Sequence, residues 1–266
     1  MNIILHELRI HLKSIIIWSI SIALFIMMSM VKFDATSGTG ADFIKLIESM
    51  PKALQVMIGG GYFDLLLPIG FFGATFLYIM FLGAIHGSML GASILAKEER
   101  DKTTEFLLVK PVTRIKLVAM KLIAALLIIA MMTIVVFFSA QFIVGSYSDP
   151  STLYFKEISQ LVAGYLMIEL IFMASGLFIS TVIKRVRFAA PLASLILFLT
   201  LFLNIFAELF EKVDFLKYFS PFSWFDPKLL LGIVDLPSIF IFLGIVAIII
   251  PVALSFYFYN RREMEI

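Results

Sequence analysis

The chain has 266 residues, 61% of them hydrophobic, with 28 phenylalanines, a formal net charge of +2 and no cysteine. That apolar share lies far above the ~45 to 50% of a soluble domain and assigns the chain to a bilayer, while the missing thiols exclude a disulfide framework and Cys-ligated zinc or iron–sulfur sites. The basic residues sit in short clusters beside apolar runs and form no continuous stripe, which argues against a nucleic-acid partner.

A helix crosses a hydrocarbon core of roughly 30 Å with about 20 apolar residues. Six runs meet this requirement: Ser14 to Val31, Leu65 to Ala96, Leu122 to Val144, Ile158 to Ile183, Phe188 to Ala207 and Leu236 to Tyr259. Before the first run stands HELRIH, residues 6 to 11, which is close to the zinc-protease pattern H-E-x-x-H. Its histidines are five apart, however, and at about 100° per residue they lie roughly 140° apart around a helix, so a juxtamembrane helix is expected and no metal site. The first run is longer than the ~7 to 15 residues of a signal-peptide core and reads as a retained anchor.

Between Lys32 and Asp64, Phe43, Leu46, Ile47, Met50, Leu54 and Met57 recur at spacings of 3, 4 and 7, the pattern of an amphipathic helix at the interface, broken at Pro51 and stopped by Gly59, Gly60 and Gly61. The 31 residues of the second run from Leu65 to Leu95, about 46 Å long at 1.5 Å per residue, are expected to tilt or to project beyond the bilayer. Within it Gly83, Gly87 and Gly91 form two consecutive G-x-x-x-G steps on one face, which predicts close helix packing. His86 lies among them. Glu169 falls near the middle of the fourth run, where an unpaired charge is costly, so it is expected to be protonated, paired or facing water. His86 and Glu169 are the ionisable candidates for a translocation path. The segment from Glu208 to Asp235 carries Phe219, Phe222, Trp224 and Phe225 with two prolines and reads as an interfacial aromatic belt on a turn-rich loop. Pro251 is expected to kink the sixth span.

With both termini in the cytoplasm, the inside segments hold 14 of the 21 Lys and Arg residues and the outside segments 7, which is the positive-inside distribution. The expected fold is therefore an all-α membrane protein, one transmembrane domain over residues 1–266 with six transmembrane helices and cytoplasmic termini, multi-pass in the cell membrane. No segment outside the membrane is long enough to fold alone.

Between the second and third runs the chain reads EERDKTTEFLLVKPVTR, residues 98 to 114, in which eight of seventeen residues are charged. Asp101 is a suitable N-cap, Glu105 falls in the first turn, and Pro111 forces Lys110 out of helical geometry, leaving about two helical turns. Thr103, Phe106, Leu107 and Lys110 share one face. Thr113 is expected to cap the third span, with Arg114 and Lys121 snorkelling toward headgroups. A loop that met only anionic lipid would need basic residues alone. Interleaved acids, a Phe-Leu-Leu cluster and a proline corner fit docking against a protein.

The same run, Glu98-Glu99-Arg100-Asp101-Lys102-Thr103-Thr104-Glu105-Phe106-Leu107-Leu108-Val109-Lys110-Pro111-Val112-Thr113-Arg114 followed by Lys121, resembles the cytoplasmic signature of type-2 ABC exporter permeases. That signature is an acidic cluster, a Thr-x-Glu-phi-Leu-Leu core with phi apolar, then Pro-Val-Ser/Thr-Arg and a lysine entering the next helix. Lys102 stands where many relatives have glycine. Six spans, cytoplasmic termini and the chain length are similar to the family throughout. The resemblance implies a membrane subunit paired with a second permease, identical or not, and with two separate ATP-binding subunits that carry the ATP and Mg. It also implies a short cytoplasmic coupling helix, with Glu98, Glu99, Arg100, Asp101, Thr103, Glu105, Phe106, Leu107, Lys110, Pro111 and Arg114 as the coupling residues.

The sequence contains no G-x-x-x-x-G-K-[ST] phosphate cradle and no G-x-S-x-G elbow, so no catalytic residue, bound cofactor or metal is expected on this chain. The reading that follows is the permease of an ATP-driven exporter of a hydrophobic or amphipathic substrate such as a lipid, peptide or drug. Two alternatives are a proton-coupled secondary transporter that uses Glu169 and His86, and a membrane assembly factor that transports nothing.

Overall fold

In hydrocarbon every peptide N–H and C=O must be bonded within its own segment, and an apolar run long enough to cross therefore has to be helical. The computed structural model describes residues 3–37, 45–51, 54–55, 62–95, 113–149, 154–183 and 185–261. Among them the long elements are six helices: α1 (Ile3–Ser37), α2 (Pro68–Ile94), α3 (Arg114–Ser146), α4 (Phe155–Val182), α5 (Ala189–Leu209) and α6 (Ser238–Arg261). No strand occurs among the described residues, and all six helices are long and apolar enough to cross a membrane.

The helix boundaries depart from the apolar runs for local reasons. The second run is not the longest helix, because α2 starts only at Pro68, a residue well suited to a first helical position. Asp64 closes the turn before it, accepting Leu66 N–H on Oδ1 at 3.0 Å and Leu67 N–H on its carbonyl at 3.2 Å. The long helices are α1 and α3, with 35 and 33 residues. At the start of α3, Thr113 Oγ1 accepts the N–H of Lys116 at 3.3 Å, the expected cap. α6 runs continuously through Pro251. In the segment before α2, residues 45–48 make one helical turn with Ile47 buried and Leu46 exposed, and Pro51 lies outside the helix; the triple glycine at 59 to 61 lies outside the described residues.

The core is built around α2 and α4, which make the most extensive interhelical contact among the described elements, with α1 and α3 packed alongside. α5 and α6 lie at the periphery. Only 17% of the most apolar stretch of each is buried, and side chains such as Phe198, Phe202, Phe242 and Ile249 face outward.

One end of the bundle gathers the start of α1 and the end of α6. Lys121 of α3 reaches Glu7 of α1 and the Ile94 carbonyl of α2, and Arg114 Nη1 donates to the Asn260 carbonyl of α6 at 3.4 Å. At the other end, residues 211–230 fold as a 3-10 segment followed by two one-turn helices, Pro221–Trp224 and Pro227–Leu230. This corrects the expectation of an aromatic belt. Phe222, Trp224 and Phe225 are buried, and Phe222 packs 5.4 Å from Phe172 of α4 and 6.5 Å from Phe81 of α2, centroid to centroid. Of the four expected belt residues only Phe219 stays at the surface, together with its neighbours Phe215 and Tyr218. The reason is geometric: Ser220 Oγ donates to the Thr200 carbonyl and Ser223 Oγ to Asn204 Oδ1, at 2.7 and 2.6 Å, and these bonds draw the loop into the bundle.

Candidate functional site

The glycine face of α2 determines the interior. A Cβ on Gly83 would strike the Tyr165 ring, on Gly87 the Glu169 carbonyl oxygen, and on Gly91 the Met173 carbonyl oxygen. Gly176 answers from α4, where a Cβ would strike the Ser88 carbonyl. Backbones this close leave room for nothing larger than hydrogen, which is the small-residue packing seen where helices associate in lipid.

That approach places His86 against Glu169, 83 residues away in sequence. His86 Nδ1 and Glu169 Oε1 are 2.6 Å apart, and the two side chains are 4% and 0% exposed. Trp18 of α1 meets the imidazole edge to face, with ring centroids 5.5 Å apart. Tyr165, one turn before Glu169, is fully buried beside the Gly83 backbone. The group therefore ties α1, α2 and α4 together at the depth where an isolated charge is least tolerable.

A second buried polar group lies at the end holding the start of α1 and the end of α6. Lys121 is 1% exposed, with Nζ 3.2 Å from Glu7 Oε1 and 2.5 Å from the Ile94 carbonyl; Glu7 Oε2 in turn lies 3.8 Å from His11 Nε2. The lysine does not snorkel, which corrects the expectation, because a carboxylate and a free C-terminal carbonyl of α2 are both within its reach. A cation there also complements the negative end of the α2 dipole.

A third group lies at the opposite end. Lys228 contacts Glu208 of α5, lies 3.6 Å from Asp226 Oδ2, and stacks over the Tyr62 ring at 4.6 Å. Asp226 Oδ1 caps the following helical turn by accepting Lys228 N–H at 2.9 Å. Burial pushes the Asp226 carboxyl up to about 6, although Lys228 opposes it. Burial also pulls the Lys228 ammonium down, but Asp226 and Glu208 outweigh it and hold the group above the ordinary lysine value. These residues line a cavity that Asn204 and Tyr78 share.

Among the sites expected from the sequence, the structure brings together Gly83, Gly87, Gly91, His86 and Glu169, and places Arg114 at the start of α3. Glu98, Glu99, Arg100, Asp101, Thr103, Glu105, Phe106, Leu107, Lys110 and Pro111 lie outside the described residues. Among the described residues no group of three or more His, Asp and Glu side chains could hold a metal ion. The Glu7–Lys121 and Glu208–Asp226–Lys228 groups were not singled out from the sequence. The available signals were slight: one asparagine, Asn204, within an apolar span, and the Asp226-Pro227 pair that starts a helical turn.

A six-helix bundle with lipid-compatible outer faces and buried interhelical ion pairs defines a multi-pass membrane protein. The sequence model of the family described as ABC-2 family transporter protein matches residues 1–264. The chain belongs to that family, as a membrane permease component of an ABC transporter and not its ATPase. Membership implies an ATP-binding partner subunit. No curated protein matches the chain.

Proposed function

We propose that this permease exports a hydrophobic or amphipathic substrate and is energised by a separate ATP-binding subunit that docks on residues 98–114. It works as a pair with a second permease, with both termini and the docking segment in the cytoplasm. Phe106 and Leu107 form the apolar knob that enters a groove on the ATPase, while Glu98, Glu99, Arg100 and Glu105 make ion pairs around it. ATP and Mg stay on the partner.

The observation that carries this reading is the Lys121 group. The docking segment leaves α2 just after Leu95 and enters α3 at Arg114, and Lys121 joins the last turn of α2 to α3 and to Glu7 of α1. A push on the segment is therefore delivered to three helices together, and α2 passes it to α4 through the glycine face. A rigid element with two discrete positions is what such transmission needs. Phe106→Asp should insert into the membrane normally yet fail to co-purify with the ATP-binding subunit. Undiminished co-purification would sink the coupling assignment.

The His86–Glu169 contact favours a second reading, proton coupling, because a carboxyl and an imidazole 2.6 Å apart can share a proton. Glu169→Gln separates the two. Transport that continues without regard to pH leaves the pair as an interhelical tie, whereas transport that stops while ATPase association persists points to proton traffic.

A further inference from the structure

The end of the bundle remote from the start of α1 and the end of α6 holds a cavity of about 170 Å³ between α2, α5 and the Asp226–Lys228 turn. Its walls are apolar and aromatic, with Leu77, Phe81, Leu201 and Ile205 from the helices and the Tyr62 and Phe63 rings at one side. Its polar end is Glu208, Asp226 and Lys228, two carboxylates against one ammonium. Lys228 is already engaged by Glu208, Asp226 and the Tyr62 ring. An entering anion would have to break one of those contacts and would still face an excess negative charge. An entering cation meets the opposite situation, because Lys228 offsets only one carboxylate and the ring faces are themselves negative.

Asn204 also lines the cavity, at 3% exposure, and its Oδ1 accepts from Ser223 Oγ. The apolar length of the cavity excludes a bare inorganic cation as its natural occupant. Tyr78, which also lines it, is 39% exposed on the outer surface of α2, so one wall reaches the lipid-facing side.

We propose that this cavity binds an organic ammonium carried on an apolar body, with the cation held by Glu208 and Asp226 and the carbon skeleton laid against Leu77, Phe81 and Ile205. The proposal rests on the exporter reading and narrows its substrate class from amphipathic to cationic amphipathic.

The test uses the full-length permease alone in dodecyl maltoside, titrated with a dansyl-labelled alkyltrimethylammonium and with the matched alkylsulfonate. The ammonium should bind at least about tenfold more tightly than the sulfonate. Glu208→Gln, which keeps the shape of the side chain, should weaken the ammonium about tenfold and leave the sulfonate unchanged. Tyr62→Leu, at a position 48% exposed, should weaken it a few-fold (about threefold) through the lost ring face. Equal affinity for the two probes overturns the proposal, as does wild-type ammonium affinity in Glu208→Gln; if that variant does not fold, wild-type affinity in Tyr62→Leu overturns it instead. Lysophosphatidylcholine as competitor distinguishes the two sources of the ammonium: displacement of the probe assigns it to a lipid headgroup, and no displacement to a free organic cation. Because no ATPase is present, the result is independent of the exporter reading, which fails separately if Phe106→Asp still co-purifies with the ATP-binding subunit.

Discussion

The two ends of the bundle each bury a lysine against carboxylates, and the surroundings of the two lysines differ. Lys121 is enclosed by α1, α2 and α3, is 1% exposed, and spends its donors on Glu7 and a helix-terminal carbonyl. Lys228 has 15% of its side chain exposed and borders a cavity with aromatic walls, where the carboxylates outnumber it. Similar chemistry thus makes a closed interhelical tie where space is filled and a polar cavity wall where space is left. Between them the glycine face and the His86–Glu169 contact pack α2 closely against α4.

Substitutions can break this comparison in graded steps. The largest effect is expected from Gly87→Leu, because its side chain would meet the Glu169 backbone and not a movable side chain; little monodisperse protein should survive size-exclusion chromatography. Lys121→Met comes next. Leaving Glu7 buried without its ammonium costs about 3 to 5 kcal/mol, so the melting temperature should fall markedly, whereas Lys121→Arg should restore part of it. Glu169→Gln keeps a hydrogen-bond acceptor beside His86 and should lower stability by only about 1 kcal/mol, read from thermal unfolding. The smallest effect is pH dependence at the opposite end. Asp226, held at about 6, gains a proton as pH falls from 7 to 5 and its negative charge is lost, while Glu208 from α5, Lys228 from its own turn and Tyr62 remain to face the cation. Ammonium affinity should then drop a few-fold (about threefold) between pH 7 and 5, with Asp226→Asn abolishing most of the drop.

The sequence made the six helices legible because apolar runs bounded by charge have one physical solution in a bilayer. It made the glycine face legible because the spacing of Gly83, Gly87 and Gly91 is a property of a single helix. The pairing of His86 with Glu169 was not, since it depends on how α2 and α4 meet. Lys121 was misjudged for the same reason: its position beside a membrane end suggests snorkelling, and only the tertiary packing offers Glu7 and the Ile94 carbonyl instead. The aromatic residues of the 208–235 segment suggested an interface because composition cannot distinguish rings that face lipid from rings folded under a loop. Ser220 and Ser223, small and unremarked, decide the matter through their bonds to α5.

We propose that energy enters at the Lys121 end, through residues 98–114, and not at the Lys228 end. The chain contains no cysteine, so single substitutions can carry a maleimide–benzophenone reagent without background from the permease. In membranes containing the permease and its ATP-binding subunit, photolysis of labelled Phe106→Cys should give a covalent permease–ATPase adduct, and labelled Tyr62→Cys should give none. An adduct from Tyr62→Cys, or none from a folded and labelled Phe106→Cys, would contradict it.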